Sequence, residues 1–137
     1  MTFGPPLHHV GIIQSSEAEV ATFMNLLGLK EQYRGYVETW RALCIFTEPE
    51  GATPIEFIVP NGGPLAKFNK GFGGLHHIAL AVESLDAVKA RVESEGMKLL
   101  SDVHVKGAGR FLCNFLSPIF TRGIQVEFIE LIRGVEC

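Results

Sequence analysis

The chain contains one sequence pattern twice, and each copy begins with a histidine pair and ends with a glutamate. Residues 7–12, Leu-His-His-Val-Gly-Ile, return 68 residues later as Leu-His-His-Ile-Ala-Leu at 75–80. Residues 55–58, Ile-Glu-Phe-Ile, return 71 residues later as Val-Glu-Phe-Ile at 126–129. Such self-similarity indicates a repeated structural unit, so the two halves should fold alike.

The first copy has the pattern of a strand, a helix and three further strands. Apolar, β-branched residues at 7–13 predict the first strand, and Ser16 followed by Glu19 has the capping-box pattern of a helix start. Gly28 should end that helix. Strands are then predicted at 31–36, 40–47 and 54–59, bounded by turn-forming residues. The predicted order is βαβββ.

The second copy repeats this order after a linker with a short predicted helix at 65–69. Strands are predicted at 75–82, 98–103, 110–117 and 125–131, with Ser84 capping the helix. We therefore predict an α+β fold in which two tandem βαβββ modules form a cupped mixed sheet. Residues 1–137 should be one domain, with module 1 at about 5–62, the linker at about 63–73 and module 2 at about 74–133.

Charge, apolar run length and cysteine content exclude several classes of binding partner and cellular location. The formal net charge is -3 with scattered Lys and Arg, so neither a nucleic acid nor an anionic membrane surface is expected. No apolar run approaches the roughly 20 residues that cross a bilayer. Cys44, Cys113 and Cys137 form no C-x-x-C pair, and no leader precedes the first strand. These features predict a soluble cytoplasmic protein.

The repeated residues His9, Glu56, His77 and Glu127 are the candidate metal ligands. A single His or Glu in a strand is more often structural. However, burying an unpaired carboxylate inside an apolar run costs several kcal/mol, and both copies place one there. Two imidazoles and two carboxylates suit a first-row divalent cation. We predict one such ion, Co, Zn, Ni or Mn, with the sheet around it.

Strand alternation separates these candidates from their neighbours. It directs His8 and His76 away from His9 and His77. It also places Glu130 on the face opposite to Glu127. His104 has no counterpart in the first copy and is expected in a loop without a metal role.

The duplicated motifs resemble the vicinal oxygen chelate superfamily, which includes glyoxalase I, bleomycin-resistance proteins, ring-cleaving dioxygenases and methylmalonyl-CoA epimerase. The resemblance covers almost the whole chain and implies the same four metal ligands. They lie in His9-Val-Gly, Ile-Glu56-Phe, His-His77-Ile-Ala and Val-Glu127-Phe. Residues 63–68, Gly-Pro-Leu-Ala-Lys-Phe, followed by 73–79, are most similar to the epimerase.

Two segments depart from the epimerase pattern. Residues 107–110 read Gly-Ala-Gly-Arg where epimerases usually have Gly-Ala-His-Gly, and Leu116-Ser117-Pro118 lacks the usual His-Pro. The following loop, 119–123, is apolar where Lys-rich sequence is usual. These departures weaken the case for a CoA substrate and favour a more apolar pocket.

The resemblance implies a metal-dependent epimerase or isomerase that transfers a proton at the carbon α to a carbonyl or thioester. The base would be Glu127 first and Glu56 second, with no clear second base on strand 40–47, where Cys44 lies. A small-molecule substrate, possibly an acyl-CoA, would contact Lys67, Phe115, Arg110 and Phe120, and CoA phosphates would need rim cations among Lys67, Lys70, Lys106 and Arg110. A homodimer is expected, as in much of the superfamily.

Two alternatives remain open at this stage. One is a glyoxalase I-like lyase acting on a hemithioacetal with the same metal and carboxylates. The other is a non-catalytic protein that binds an apolar ligand among Phe57, Phe111, Phe115 and Phe120. A ring-cleaving dioxygenase fits less well, because those members use two His and one Glu, and this chain offers a fourth ligand. The sequence leaves the substrate, the native metal and the pairing of modules within or between chains undetermined.

Overall fold

A computed structural model describes residues 5–49 and 53–132. Cys137, one of the three cysteines noted above, therefore lies outside the described residues. The chain divides into two compact units. One spans His9–His76, and the other combines the segment that ends at His8 with the segment that begins at His77.

The first module has the predicted element order. It contains β1 (Leu7–Ile13), α1 (Glu17–Leu27), β2 (Glu31–Val37), β3 (Ala42–Thr47) and β4 (Ile55–Pro60). β1 pairs parallel with β4, while β3 pairs antiparallel with both β2 and β4. The linker forms α2 (Gly63–Ala66) and a 3-10 turn (Phe68–Gly71), so its helix begins earlier than predicted.

The second module repeats this arrangement with a shorter outer strand. It contains β5 (Gly74–Ala81), α3 (Leu85–Ser94), β6 (Val105–Lys106), β7 (Phe111–Leu116) and β8 (Val126–Leu131). β5 pairs parallel with β8, and β7 pairs antiparallel with β8 and β6. The strand order is β2-β3-β4-β1 in the first module and β5-β8-β7-β6 in the second. The predicted α+β class with two βαβββ modules is confirmed, whereas the single-domain boundaries stay a prediction.

Serine caps begin both long helices, as predicted. The Glu19 N–H donates to Ser16 Oγ at 3.2 Å, and the Ala87 N–H donates to Ser84 Oγ at 3.1 Å. Gly28 ends α1 in the left-handed region, with φ of 68°. The other half of the capping box differs from the prediction, because the Glu19 carboxylate accepts from the N–H of Ser15, at 3.1 Å.

Each helix packs on one face of the strands of its own module. In the first module the buried cluster contains Val20, Ile45 and Phe57, and the rings of Phe23 and Phe57 meet at 5.5 Å. In the second module the corresponding cluster contains Leu85, Val88, Val92, Leu99 and Phe128. Phe57 therefore belongs to the helix-facing core. The expectation that it lines a ligand pocket is wrong, because it alternates with Glu56 and points to the opposite face.

Two predicted strands differ from the structure. Strand 40–47 begins at Ala42, because Glu38–Trp40 forms a 3-10 turn. The predicted strand at 98–103 is wrong: Leu99 forms an isolated bridge with Leu116, and the outer strand is only the two residues of β6. No helix among the described residues is long and apolar enough to span a bilayer.

Candidate metal centre

The first His–Glu pair lies on adjacent parallel strands. The register of β1 and β4 sets Gly11 opposite Glu56. His9 lies two residues before Gly11, so it shares a sheet face with Glu56. His9 Nε2 and Glu56 Oε1 are 3.3 Å apart, and both side chains are buried.

The second pair has the same construction in the other module. β5 and β8 set Ala79 opposite Glu127, and His77 lies two residues before Ala79. His77 Nε2 and Glu127 Oε1 are 3.1 Å apart, and both side chains are again buried. The duplication in sequence is thus a duplication of strand register.

A phenylalanine holds each histidine ring. Phe46 lies opposite Glu56 and meets the His9 ring edge-on, at 5.1 Å and 82°. Phe115 lies opposite Glu127 and meets the His77 ring at 5.7 Å and 83°. Edge-to-face packing of this kind restricts rotation of the imidazole and excludes water from one side of the pair. Phe115, a predicted substrate contact, is therefore a neighbour of a candidate ligand.

The four candidate ligands thus form two His–Glu pairs, one in each unit. The four residues are 0–3% exposed. Two buried carboxylates would destabilise the folded chain by several kcal/mol unless a cation offsets their charge. Adjacent ligands bonded at about 2.1 Å to one ion lie roughly 3.0–3.4 Å apart, which agrees with the His–Glu separations. The donor set and its burial fit a divalent cation.

The other predicted substrate contacts are not members of either His–Glu pair. Arg110 and Lys67 are exposed, and Phe120 is 41% exposed in the 3-10 turn Pro118–Phe120 that follows β7. The neighbouring Ile119 is 79% exposed. A role for Arg110, Lys67 and Phe120 in substrate binding stays a prediction.

The residues next to the candidate ligands have separate environments. The His8 ring lies 6.3 Å from the Phe111 ring, and the His76 ring meets the Phe68 ring at 5.1 Å. Glu130 accepts a hydrogen bond from the Leu85 N–H at 2.7 Å, at the start of α3. The prediction that Glu130 faces away from Glu127 is confirmed.

Two buried cysteines occupy equivalent positions that the sequence interpretation overlooked. Cys44 lies opposite Ile58 on β4, and Cys113 lies opposite Ile129 on β8. By strand alternation, each thiol shares a face with the glutamate of its own module. The signal was present as a third repeat, because a Cys-x-Phe pattern occurs at 44–46 and again at 113–115.

Known proteins share this arrangement of elements. Residues 8–114 match the family model of the Glyoxalase/Bleomycin resistance protein/Dioxygenase superfamily. The chain is 32% identical over 136 residues to YqjC, an uncharacterized protein of Bacillus subtilis (strain 168), covering 90% of this chain and 91% of YqjC.

Two solved structures of methylmalonyl-CoA epimerases are also similar. The enzyme from Mycobacterium tuberculosis has a TM-score of 0.85 at 24% identity, over 92% of this chain and 87% of that one. The selenomethionine form of a methylmalonyl-CoA epimerase has a TM-score of 0.80 at 26% identity, over 93% and 95% of the two chains. The resemblance inferred from the duplicated motifs is confirmed. The chain belongs to the Glyoxalase/Bleomycin resistance protein/Dioxygenase superfamily, the vicinal oxygen chelate family.

Proposed function

We propose that the chain is a metal-dependent epimerase or isomerase that transfers a proton at the carbon α to a thioester or ketone carbonyl. The observation that carries the proposal is the buried His–Glu pair that each of the two modules holds at an equivalent position, on an epimerase-like fold. His9, Glu56, His77 and Glu127 would hold one divalent ion, Co, Zn, Ni or Mn. When bound, the ion would supply Lewis-acid stabilisation for the negative charge that develops on the carbonyl oxygen.

Glu127 is our first candidate for the base. Its carboxylate is 1% exposed and lies 3.1 Å from His77 Nε2, so it is desolvated and its position is fixed. A base must reach the proton that it abstracts, so the substrate would have to bring its α-carbon to this carboxylate. Glu56 has the equivalent position in the first module and is the second candidate.

The aromatic neighbours would protect the deprotonated substrate. Phe46 and Phe115 pack edge-on against the candidate histidine ligands. Apolar rings at these positions would exclude water, which strengthens the electrostatic interactions within the site. They would also limit the loss of the abstracted proton to solvent.

Inversion at a carbon needs a proton carrier on each side of the deprotonated atom. On β3 the residues that share a face with Glu56 are Ala42, Cys44 and Phe46. On β7 the residues that share a face with Glu127 are Phe111, Cys113 and Phe115. The ionisable groups in these two sets are thiols, so Cys44 and Cys113 are the candidates for a second carrier. Exchange rates of Cys44→Ser and Cys113→Ser would show whether either thiol is needed.

Deuterium exchange at the α-carbon tests the reaction class. Metal-replete protein would be incubated in D2O with (R/S)-methylmalonyl-CoA and with less polar acyl thioesters, and α-deuteration would be measured by mass spectrometry. We expect deuteration that chelation abolishes and metal restores. Absence of deuteration in every thioester and ketone tried would refute the proposal. Turnover of a glutathione hemithioacetal instead would assign the site to the glyoxalase-like lyases.

A further inference from the structure

In the unit His9–His76 three exposed cations precede or follow β4, and we call them the cationic end: Arg41, whose carbonyl accepts from the Asn61 N–H just after β4, and Lys67 and Lys70 of the linker that follows. Among the described residues, no carboxylate forms an ion pair with any of them. The sequence also contains no Asp or Glu between Glu56 and Glu83, although the net charge of the chain is -3. The cationic end is therefore a local region of positive potential in an acidic protein.

Arg41 has a strained backbone that its surroundings hold in place. It follows the 3-10 turn Glu38–Trp40 with φ of 51° and ψ of 53°, in the left-handed region. This conformation costs a non-glycine residue roughly 1 kcal/mol or more, and such outliers concentrate at functional sites. The Arg41 N–H donates to the Glu38 carbonyl at 3.1 Å, and the Arg41 carbonyl accepts from the Asn61 N–H at 2.7 Å.

Two glycines form a seat for the Arg41 side chain. A Cβ atom added at Gly62 would lie 2.9 Å from Arg41 Nη2, and one added at Gly63 would lie 3.6 Å from Arg41 Cδ. Gly62 and Gly63 have φ of 88° and 73°, which also disfavours any side chain. The guanidinium thus lies against the backbone of Gly62, where a side chain would displace it. Its planar set of N–H donors matches the oxygens of a phosphate.

The cationic end lies at a defined distance from the candidate base of its module. Five residues of extended chain separate Glu56 from Asn61, the hydrogen-bond partner of Arg41, and a strand rises about 3.3 Å per residue. The backbone of Arg41 is therefore on the order of 15 Å along β4 from Glu56. Lys67 follows α2, and Lys70 lies in the 3-10 turn Phe68–Gly71. The backbone of Lys70 is also in the left-handed region, with φ of 58°. A ligand that reaches both places needs an extended tail with negative charge at its end.

We propose that Arg41, assisted by Lys67 and Lys70, binds the phosphate groups at the far end of the substrate's carrier, as in the nucleotide part of an acyl-CoA. This inference rests on the proposed function and assigns the carrier to a thioester with a phosphorylated tail. Arg41 would provide the directional contact, because its guanidinium packs beside Gly62 and presents planar N–H donors. The two lysines add charge without fixed geometry.

Calorimetric titration of Arg41→Ala tests this site without any need for turnover. The probes are CoA, adenosine 3′,5′-diphosphate, and an acyl-pantetheine that lacks the nucleotide. We expect Arg41→Ala to weaken CoA and adenosine 3′,5′-diphosphate at least 10-fold and to leave acyl-pantetheine unchanged. Arg41→Lys should recover part of the loss. Arg34→Ala is the matched control, since Arg34 is an exposed arginine of the same unit whose guanidinium lies 2.6 Å from Glu31 and 2.7 Å from Glu17.

Several results would overturn the assignment. These are unchanged CoA affinity in Arg41→Ala, an equal loss in Arg34→Ala, or an equal loss of acyl-pantetheine affinity. Failure of this site and failure of the proposed reaction are distinguishable. If CoA binding depends on Arg41 but no α-deuteration occurs, the proposed phosphate site is supported and the proposed reaction is refuted. If the Arg41→Ala protein deuterates acyl-CoA with unchanged kcat and KM, the proposed reaction is supported and the proposed phosphate site is refuted.

Discussion

The two modules share the residues of the candidate site but differ at their outer edges. Each supplies His, Glu, Phe and Cys at equivalent positions in the strands. The first module completes its edge with the seven residues of β2, whereas the second has the two residues of β6. Ile45 lies opposite Phe57 in the first module, and Asn114 lies opposite Phe128 at the equivalent place in the second.

Asn114 compensates for the missing strand. Its Oδ1 accepts from the N–H of Ser101 at 3.3 Å, and its Nδ2 donates to the Ser101 carbonyl at 2.9 Å. The amide side chain therefore pairs with Ser101 as a peptide group of a neighbouring strand would. Nδ2 also donates to His104 Nδ1 at 3.1 Å, and His104 Nε2 donates to Asp86 at 2.9 Å. The difference teaches that the central strands keep matched ligand positions, while the edges can diverge.

The largest expected effect is a loss of α-proton exchange when the glutamate of one module is replaced. It would show that Glu127 and Glu56, although matched in position, differ in their chemical role. We expect Glu127→Gln to reduce α-proton exchange at least 10²-fold, because an amide can coordinate through oxygen but cannot accept a proton at neutral pH. Glu56→Gln should reduce exchange less. Exchange rates would be measured at equal metal occupancy, determined by elemental analysis.

The reverse order of the two glutamate variants would assign the base to the first module. Equal and small losses would show that neither carboxylate is the base. Metal occupancy serves as the control, because a loss of exchange that follows a loss of metal carries no information about proton transfer.

The next effect concerns the edge of the second module. Replacing Asn114 by Leu leaves the N–H and carbonyl of Ser101 without their side-chain partner, and the free energy of unfolding should fall by about 2–4 kcal/mol. Hydrogen exchange should increase around Ser101. The matched change in the first module, Ile45→Val, should cost only about 0.5–1.5 kcal/mol. Similar losses for both variants in denaturant titrations would contradict the role given to Asn114.

The helix caps should behave alike in the two modules. Ser16→Ala and Ser84→Ala each remove one hydrogen bond to a helix N–H, so each should lower the free energy of unfolding by about 1 kcal/mol. Thermal unfolding of both variants would measure the loss. A difference of more than about 1 kcal/mol between them would break the equivalence of the two helix starts.

The smallest effect on stability is expected from the ion pair between Arg34 and Glu31 in the first module. The hydrogen bond from Arg34 lowers the pKa of Glu31, although 36% of that side chain is exposed. A lowered pKa in the folded state stabilises the fold above the unfolded pKa, and this stability is lost as pH falls through the folded value. Solvent screening should limit it to about 0.5 kcal/mol. Urea titrations of Glu31→Gln and the parent chain should differ slightly at pH 7 and converge as the pH falls below the folded-state pKa of Glu31.

Sequence periodicity and duplication were sufficient to predict much of the fold and the candidate ligands. The caps at Ser16 and Ser84 follow local rules that hold without tertiary context. The burial of Glu56 and Glu127 was predictable, because each lies within an apolar run that recurs. Alternation also correctly separated Glu130 from Glu127.

The remaining features depend on contacts that are distant in sequence. Residues 98–103 are apolar enough to predict a strand, but the Asn114 side chain takes over part of the pairing there. The sequence gave no signal that Arg41 is distinct from other cations, because its side chain packs against the backbone of Gly62 and Gly63, about 20 residues away. Cys44 and Cys113 gave a signal only as part of the repeat, which a count of cysteines does not show.

The central claim is that both modules contribute ligands to one ion, and metal stoichiometry tests it most directly. Purified parent protein, His9→Ala and His77→Ala would be loaded with Co²⁺ or Zn²⁺, desalted and measured by elemental analysis against protein concentration. We predict one ion per parent chain and a large loss of metal in each variant, because each removes a ligand of the same site. Two ions per parent chain, or full retention of one ion in either variant, would contradict a shared site.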